Sequence, residues 1–298
     1  MKTVVRELVR VDTFDPWQGG SSNATVCLTG ILARGSQFDP IRGVLGEYGS
    51  VHVVSYLSPD IDAIIDVVCY YIEDLIVAHS KTVTILGASL GGDISLFVIE
   101  RLRAQLGDEM VEDRISVRLD DAPIGGESMK QLPEFFRKFL LTHPYSPVPN
   151  FVGALFLLFM RGLPKDSNIE MPDDTTALAG RRITDIDEFR VWVKAQAKIG
   201  LSGHKFSMWW ASMSWMCRVG EILPFGTLRG IKVVYARCNG ARNDTLKQPV
   251  TGDMWLTNVP HVQILEVDTP HCAYLEANAK WLDATITSNG MLGVLRPS

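Results

Sequence analysis

Residues 82–92, Thr-Val-Thr-Ile-Leu-Gly-Ala-Ser-Leu-Gly-Gly, restrict what this chain can fold into more than any other stretch. A β-branched, apolar run feeds into Gly87-Ala88-Ser89-Leu90-Gly91, and a helix-patterned segment is expected from Asp93. A strand that turns straight into a helix at this spacing lifts one serine hydroxyl above the edge of a sheet. The serine then sits in a strained conformation, and side chains two positions to either side would collide with neighbouring backbone. Glycine at 87 and 91 removes the colliding Cβ atoms. The helix also aims its N-terminus, with free N–H groups and a partial positive charge, at the same point.

Gly-x-Ser-x-Gly alone is a common pattern; its flanks give it weight. Residues 2–11 alternate apolar and charged, which suggests an exposed antiparallel strand or hairpin. Residues 24–28 and 51–57 read as short buried strands. Helical spacing covers 38–48 and 61–78, the second with Ser58 or Asp60 as its cap. After the strand at 82–86 come a helix over 93–106 and a strand over 115–119, closed by Asp120-Asp121-Ala122-Pro123. Strands separated by helices of this length form βαβ units. They predict an α/β fold with a mostly parallel central sheet flanked by helices.

From 124 to 228 the alternation stops. This block is helical in pattern, proline-punctuated and rich in aromatics: Phe135, Phe136, Phe139, the apolar run 151–160, Trp192, Trp209, Trp210 and Trp215. Strands then return at 231–238 and 262–267, joined by a polar loop, and a helix closes the chain over 273–286. The expected division is a core of 1–123 and 229–298, with 124–228 inserted as a helical cap, or lid.

A length of 298 residues, 46% hydrophobic, suffices for one sizeable core plus that insertion. A net charge of -5 leaves no basic stripe for phosphates, which argues against nucleic acid as a partner. Five cysteines without close pairing read as reduced thiols. The opening Met1-Lys2-Thr3-Val4-Val5-Arg6 lacks an apolar signal core, and the 151–160 run is far shorter than the roughly 20 residues that span a bilayer. A cytoplasmic protein without stable membrane insertion is the expectation. The 151–160 run is read as a buried helix, with contact to lipid or to a second subunit (a homo-oligomer) as alternatives. No Cys/His cluster has metal-ligand spacing, and no phosphate fingerprint follows the first strand, so no metal or cofactor is expected.

A serine hydroxyl attacks at neutral pH only when a histidine takes its proton. Of six histidines, His271 stands out, because it follows the last expected strand and opens the last helix. Loops just past the carboxyl ends of strands are where open α/β sheets bind ligands. The base needs a carboxylate to orient it. Asp244, in the loop after the strand ending at Cys238, is the leading candidate; Asp121, Asp120 and Asp253 stay open as alternatives. Cys272, beside His271, reads as a small buried apolar residue.

The turn at Ser89, with Asp244 and His271 following in that order, resembles the nucleophile elbow and triad order of the α/β-hydrolase superfamily. The likeness is to a serine-nucleophile, carboxylesterase- or lipase-like member with a mainly helical cap inserted after the sixth strand. Ser89 argues against the aspartate-nucleophile dehalogenase and epoxide hydrolase branches. The resemblance implies an oxyanion hole from the backbone N–H of Leu90 and a second N–H in Thr29-Gly30-Ile31, taken as that of Ile31 with Leu32 as alternative. Where the family often has His-Gly, this chain has Thr29-Gly30. The implied activity is hydrolysis of a small-molecule carboxylic ester with an apolar acyl or aromatic group, under the cap. A thioesterase, lipase or peptidase would use the same triad, and a hydrolase-fold binding module without catalysis is the reading from another class. The cap tryptophans fit either a pocket lining or the cap's own packing core.

Overall fold

The computed structural model describes residues 7–18, 20–31, 35–124, 128–129, 133–147, 149, 153, 177–178, 181–182, 185, 187–188, 190–191, 206–220, 222–238 and 250–267. Seven strands form one sheet: β1 (Val9–Phe14), β2 (Asn23–Leu28), β3 (Ser50–Tyr56), β4 (Thr82–Ala88), β5 (Ile115–Asp120), β6 (Lys232–Cys238) and β7 (Gln263–Val267). Their spatial order is β1-β3-β2-β4-β5-β6-β7. Every pairing is parallel except that of β1 with β3, which is antiparallel, as the alternating pattern near the N-terminus suggested. β3 is buried at every position and β4 at all but its first, which is why they read as continuous apolar runs rather than as alternations.

Helix α1 (Asp39–Gly46) packs against β3 on one side of the sheet, burying Phe38, Ile41 and Leu45. The opposite face carries α2 (Ile61–Val77) and α3 (Leu90–Leu106), which share a core with Val26, Leu28, Ile85, Val117 and Tyr235. Asp60 caps α2, its carboxylate accepting the Ala63 N–H at 3.0 Å, while Ser58 Oγ accepts the Asp60 N–H at 3.1 Å. The α2 stripe Ile61, Ile64, Ile65, Val68 and Ile72 is buried at helical spacing. Helix α3 begins at Leu90, three residues before the expected start at Asp93. Gly91 and Gly92 lie in its first turn, where a Cβ would strike the Leu28 carbonyl and the Ala122 side chain respectively. A short helix not foreseen, α4 (Asp108–Arg114), follows α3 directly.

Two further helices lie within the region expected to form the cap: α5 (Glu134–Thr142) and α6 (Phe206–Val219). They hold each other through Trp210, whose indole N–H donates to the His143 carbonyl at 2.6 Å and whose ring meets Phe136 and Phe139 edge-on. Trp215 joins α6 to the core, packing on Phe97 of α3 at 5.3 Å between ring centres and donating to Asp62 at 3.3 Å. The connection from β6 to β7, expected to be a polar loop, contains α7 (Val250–Asn258). Trp255 of α7 is fully buried, and its indole N–H donates to the Ala122 carbonyl at 3.0 Å, anchoring the chain where it leaves β5. Five strands of the sheet precede residue 124 among the described residues. The expected closing helix at 273–286, Trp192 and, apart from Gly153, the 151–160 run lie outside the described residues. Among the described residues no helix is long and apolar enough to cross a membrane.

Candidate active site

Ser89 stands between β4 and α3 with φ 49° and ψ -120°, a left-handed conformation that a non-glycine residue adopts only when its surroundings impose it. Two hydrogen bonds impose it here. The Ser89 N–H donates to the Asp120 carbonyl at the end of β5 (2.9 Å), and the Ser89 carbonyl accepts the Gly92 N–H (2.8 Å). The flanking glycines are sterically required. A Cβ on Gly87 would lie 2.6 Å from the Gly91 carbonyl oxygen, and one on Gly91 would strike the Leu28 carbonyl. Within residues 83–96, otherwise buried throughout, Ser89 alone is partly exposed.

The loop after β2 lies against this turn. A Cβ on Gly30 would sit 3.3 Å from Ser89 Cβ and 3.9 Å from its Oγ. The loop is fixed by Thr29, whose hydroxyl donates to the Val54 carbonyl at 3.1 Å, and by Gln37, whose side-chain oxygen accepts the Gly30 N–H at 3.3 Å. The Gly30 N–H is therefore committed, and the next along the loop belongs to Ile31. Leu90 is the first residue of α3, where backbone N–H groups have no intrahelical acceptor. Gly30, Ile31 and Leu90 line one pocket with Tyr56, Ser58, Met208, Trp209 and Ser212. Two of the three tryptophans of α6 are packing residues, Trp210 and Trp215 being 4% and 3% exposed; Trp209 reaches the pocket.

Asp244 and His271, the expected orienting acid and base, lie outside the described residues, as do Leu32, His204 and Cys272. The remaining histidines are engaged elsewhere. His52 is held between Ser50 Oγ (2.8 Å) and Tyr71 Oη (2.7 Å), and burial lowers its pKa to about 4. His79 lies 3.6 Å from Asp74 at the end of α2, His143 follows α5 with Nδ1 2.8 Å from Thr142 Oγ1, and His261 Nε2 meets the Leu228 carbonyl at 3.0 Å. Among the competing acids, Asp253 is a surface residue of α7 paired with Arg237 at 3.4 Å. Asp120 and Asp121 are fully buried at the carboxyl end of β5, Asp121 with φ 47° and its N–H donating to the Ala236 carbonyl at 3.0 Å.

Two buried polar side chains near the turn were not foreseen. Asp93, on the first turn of α3, is fully buried with no hydrogen bond to either carboxylate oxygen, and burial pushes its pKa far above the ordinary carboxylate range. The Tyr56 hydroxyl is buried without a partner at good hydrogen-bond geometry, and burial raises its pKa against the opposing effect of the neighbouring Thr29 hydroxyl. Their signals in the sequence were a lone charge in an apolar, glycine-rich run and a phenol closing a strand beside the Gly30 loop.

No protein-family model matches the sequence, and no curated protein matches it. Solved structures do match its architecture. MenH from S. aureus superposes with a TM-score of 0.60 at 14% identity, covering 93% of this chain and 96% of that one. The enol-lactonase from Burkholderia xenovorans LB400 gives 0.59 at 14% identity, covering 93% of each chain. A carboxylesterase structure from the thaumarchaeon Nitrososphaera gargenis gives 0.52 at 14% identity, covering 93% of this chain and 92% of that one. With the mostly parallel seven-stranded sheet and its flanking helices, these likenesses give the chain the α/β-hydrolase fold.

Proposed function

We propose that the protein is a serine hydrolase that cleaves a small-molecule carboxylic ester through an acyl-enzyme. The observation that carries this reading is Ser89, a strained and partly exposed serine at the strand-to-helix turn, backed by the Gly30 loop. A structural serine gains nothing from such a conformation; a nucleophile gains an accessible hydroxyl at a helix N-terminus. Ser89 Oγ attacks the ester carbonyl while His271, oriented by Asp244, accepts its proton. The new negative oxygen is received by the N–H groups of Leu90 and Ile31. Collapse breaks the bond to the leaving alcohol, which takes the proton from His271. Water, activated by the same imidazole, then releases the acid and restores Ser89. Met208 and Trp209 give the pocket an apolar wall suited to an aliphatic or aromatic acyl group. The block 124–228 acts as the cap over it. The printed names of the structural neighbours, an enol-lactonase and a carboxylesterase, lend support to ester chemistry.

A fluorophosphonate probe tests the reading. Wild-type protein should be labelled and should hydrolyse p-nitrophenyl esters, and Ser89→Ala should lose both. His271→Ala should lose at least about 1000-fold in kcat. Asp244→Asn should follow it, and a larger loss in Asp121→Asn would transfer the orienting role to Asp121. Folded wild type that neither labels nor turns over would instead be a binding module.

A further inference from the structure

The pocket beside Ser89 holds a polar group that neither the triad nor the backbone hole uses, the phenol of Tyr56. Tyr56 ends β3. In the parallel pairing of β2 with β3, Leu28 is level with Val54, so Tyr56, two residues beyond Val54, stands at the sheet edge from which the Gly30 loop departs. A Cβ on Gly30 in that loop would press on Ser89 Cβ at 3.3 Å. Tyr56 lines the pocket together with Ile31 and Leu90, whose N–H groups are the hole's backbone donors. The residue is 5% exposed, and its hydroxyl is buried beside that of Thr29, with no partner at good hydrogen-bond geometry. The neighbouring Thr29 hydroxyl has committed its proton to the Val54 carbonyl.

A buried hydroxyl without a partner lowers stability, and phenylalanine would fill the same space without that cost. Thr29 Oγ1 beside it is not well aligned to accept, and a carbonyl oxygen that becomes negative is a much stronger acceptor. We propose that Tyr56 is a catalytic residue, donating a third hydrogen bond, beside the Leu90 and Ile31 N–H groups, to the oxyanion formed when Ser89 attacks an ester. The role rests on the serine-hydrolase reading above. Burial raises the pKa of the phenol and so keeps it a donor across the working pH range. A bond made mainly in the transition state shows in kcat rather than in KM.

The test is Tyr56→Phe in the full chain, assayed with p-nitrophenyl esters beside wild type and Ser89→Ala. The expected result is a fall in kcat of about 100- to 1000-fold, the cost of one hole donor, with KM changed by less than about threefold. The melting temperature should hold or rise, because the hydroxyl has no bond to lose. An aryl boronic acid, whose tetrahedral adduct on Ser89 carries the same negative oxygen, reads binding without turnover; Tyr56→Phe should weaken it in proportion to kcat/KM. A kcat within about twofold of wild type, or a raised KM with kcat intact, overturns the role while leaving the nucleophile standing. Wild type that neither turns over nor labels removes the serine-hydrolase reading, and the Tyr56 role with it.

Discussion

Asp93 sits one turn after Ser89, in a first turn of α3 whose Leu90, Gly91, Gly92 and Ile94 are all buried as well. Its carboxyl has no hydrogen-bond partner, and burial holds it protonated well above the ordinary carboxylate range. The linkage has a definite sign. The unfolded chain releases this proton above about pH 4, while the folded chain retains it. The contribution is therefore neutral in acid and becomes a growing penalty as pH rises through that window. Asp93→Asn should stabilise the protein by about 1–3 kcal/mol at pH 8 and by little near pH 4, read from urea unfolding at the two values. Equal stability at pH 8 would mean that the carboxyl finds a partner. In the sequence the residue is a charge inside Leu-Gly-Gly-Asp-Ile-Ser-Leu that marks the expected start of a helix. Only its burial reveals it as unpaired.

Among the elements, α6 shows how far composition carries. Its aromatic content announced a packed helix but not which ring borders the pocket. Trp210 and Trp215 are core residues, the first bonded to the His143 carbonyl and the second to Asp62. Truncating either to alanine should cost about 3–5 kcal/mol, seen as a large drop in melting temperature. Trp209 stacks on Phe206 at 5.3 Å and borders the pocket. Trp209→Ala should shift the preferred p-nitrophenyl ester toward longer acyl chains with a much smaller loss of stability. An unchanged chain-length profile would place the acyl group elsewhere. The strands were legible because burial on both faces leaves an unbroken β-branched signal, as in Thr-Val-Thr-Ile-Leu. The short helices were not. In α4 only Val111 is buried, which leaves no periodicity to read. In α7 Trp255 is buried with the small pair Thr251 and Gly252, which gives no apolar stripe to read. Tyr56 was hidden for a related reason, since the end of a strand looks the same whether its hydroxyl is used or idle.

For the molecule as a whole, stability should fall on the acid side through His52. Its pKa drops from 6.5 to about 4, chiefly from burial, with the Lys81 charge adding to the effect and Asp15 opposing it. Between those values the unfolded chain binds a proton that the folded chain refuses, so acidification from pH 6.5 toward 4 should remove on the order of 3 kcal/mol. In His52→Gln that slope should flatten, measured as urea midpoint against pH, although the variant starts less stable for want of the Ser50 and Tyr71 contacts. The overall architecture was the most legible level, because alternating strands and helices leave few topologies open. His271 and Asp244 are assigned as base and acid by chain order alone, and both lie outside the described residues.

The pairing of β5 directly with β6, Ser116 beside Lys232 through Asp120 beside Ala236, has a further consequence. The chain departs from the sheet at one strand and rejoins it at the immediate neighbour, so the long excursion between them does not fix the spacing of the floor. Doubling such a detour would raise its closure cost by only about 0.6 kcal/mol. Loops within that excursion can thus be lengthened or shortened while the serine, its glycines and the Gly30 loop keep their positions, provided the Trp215 contacts with Phe97 and Asp62 are kept.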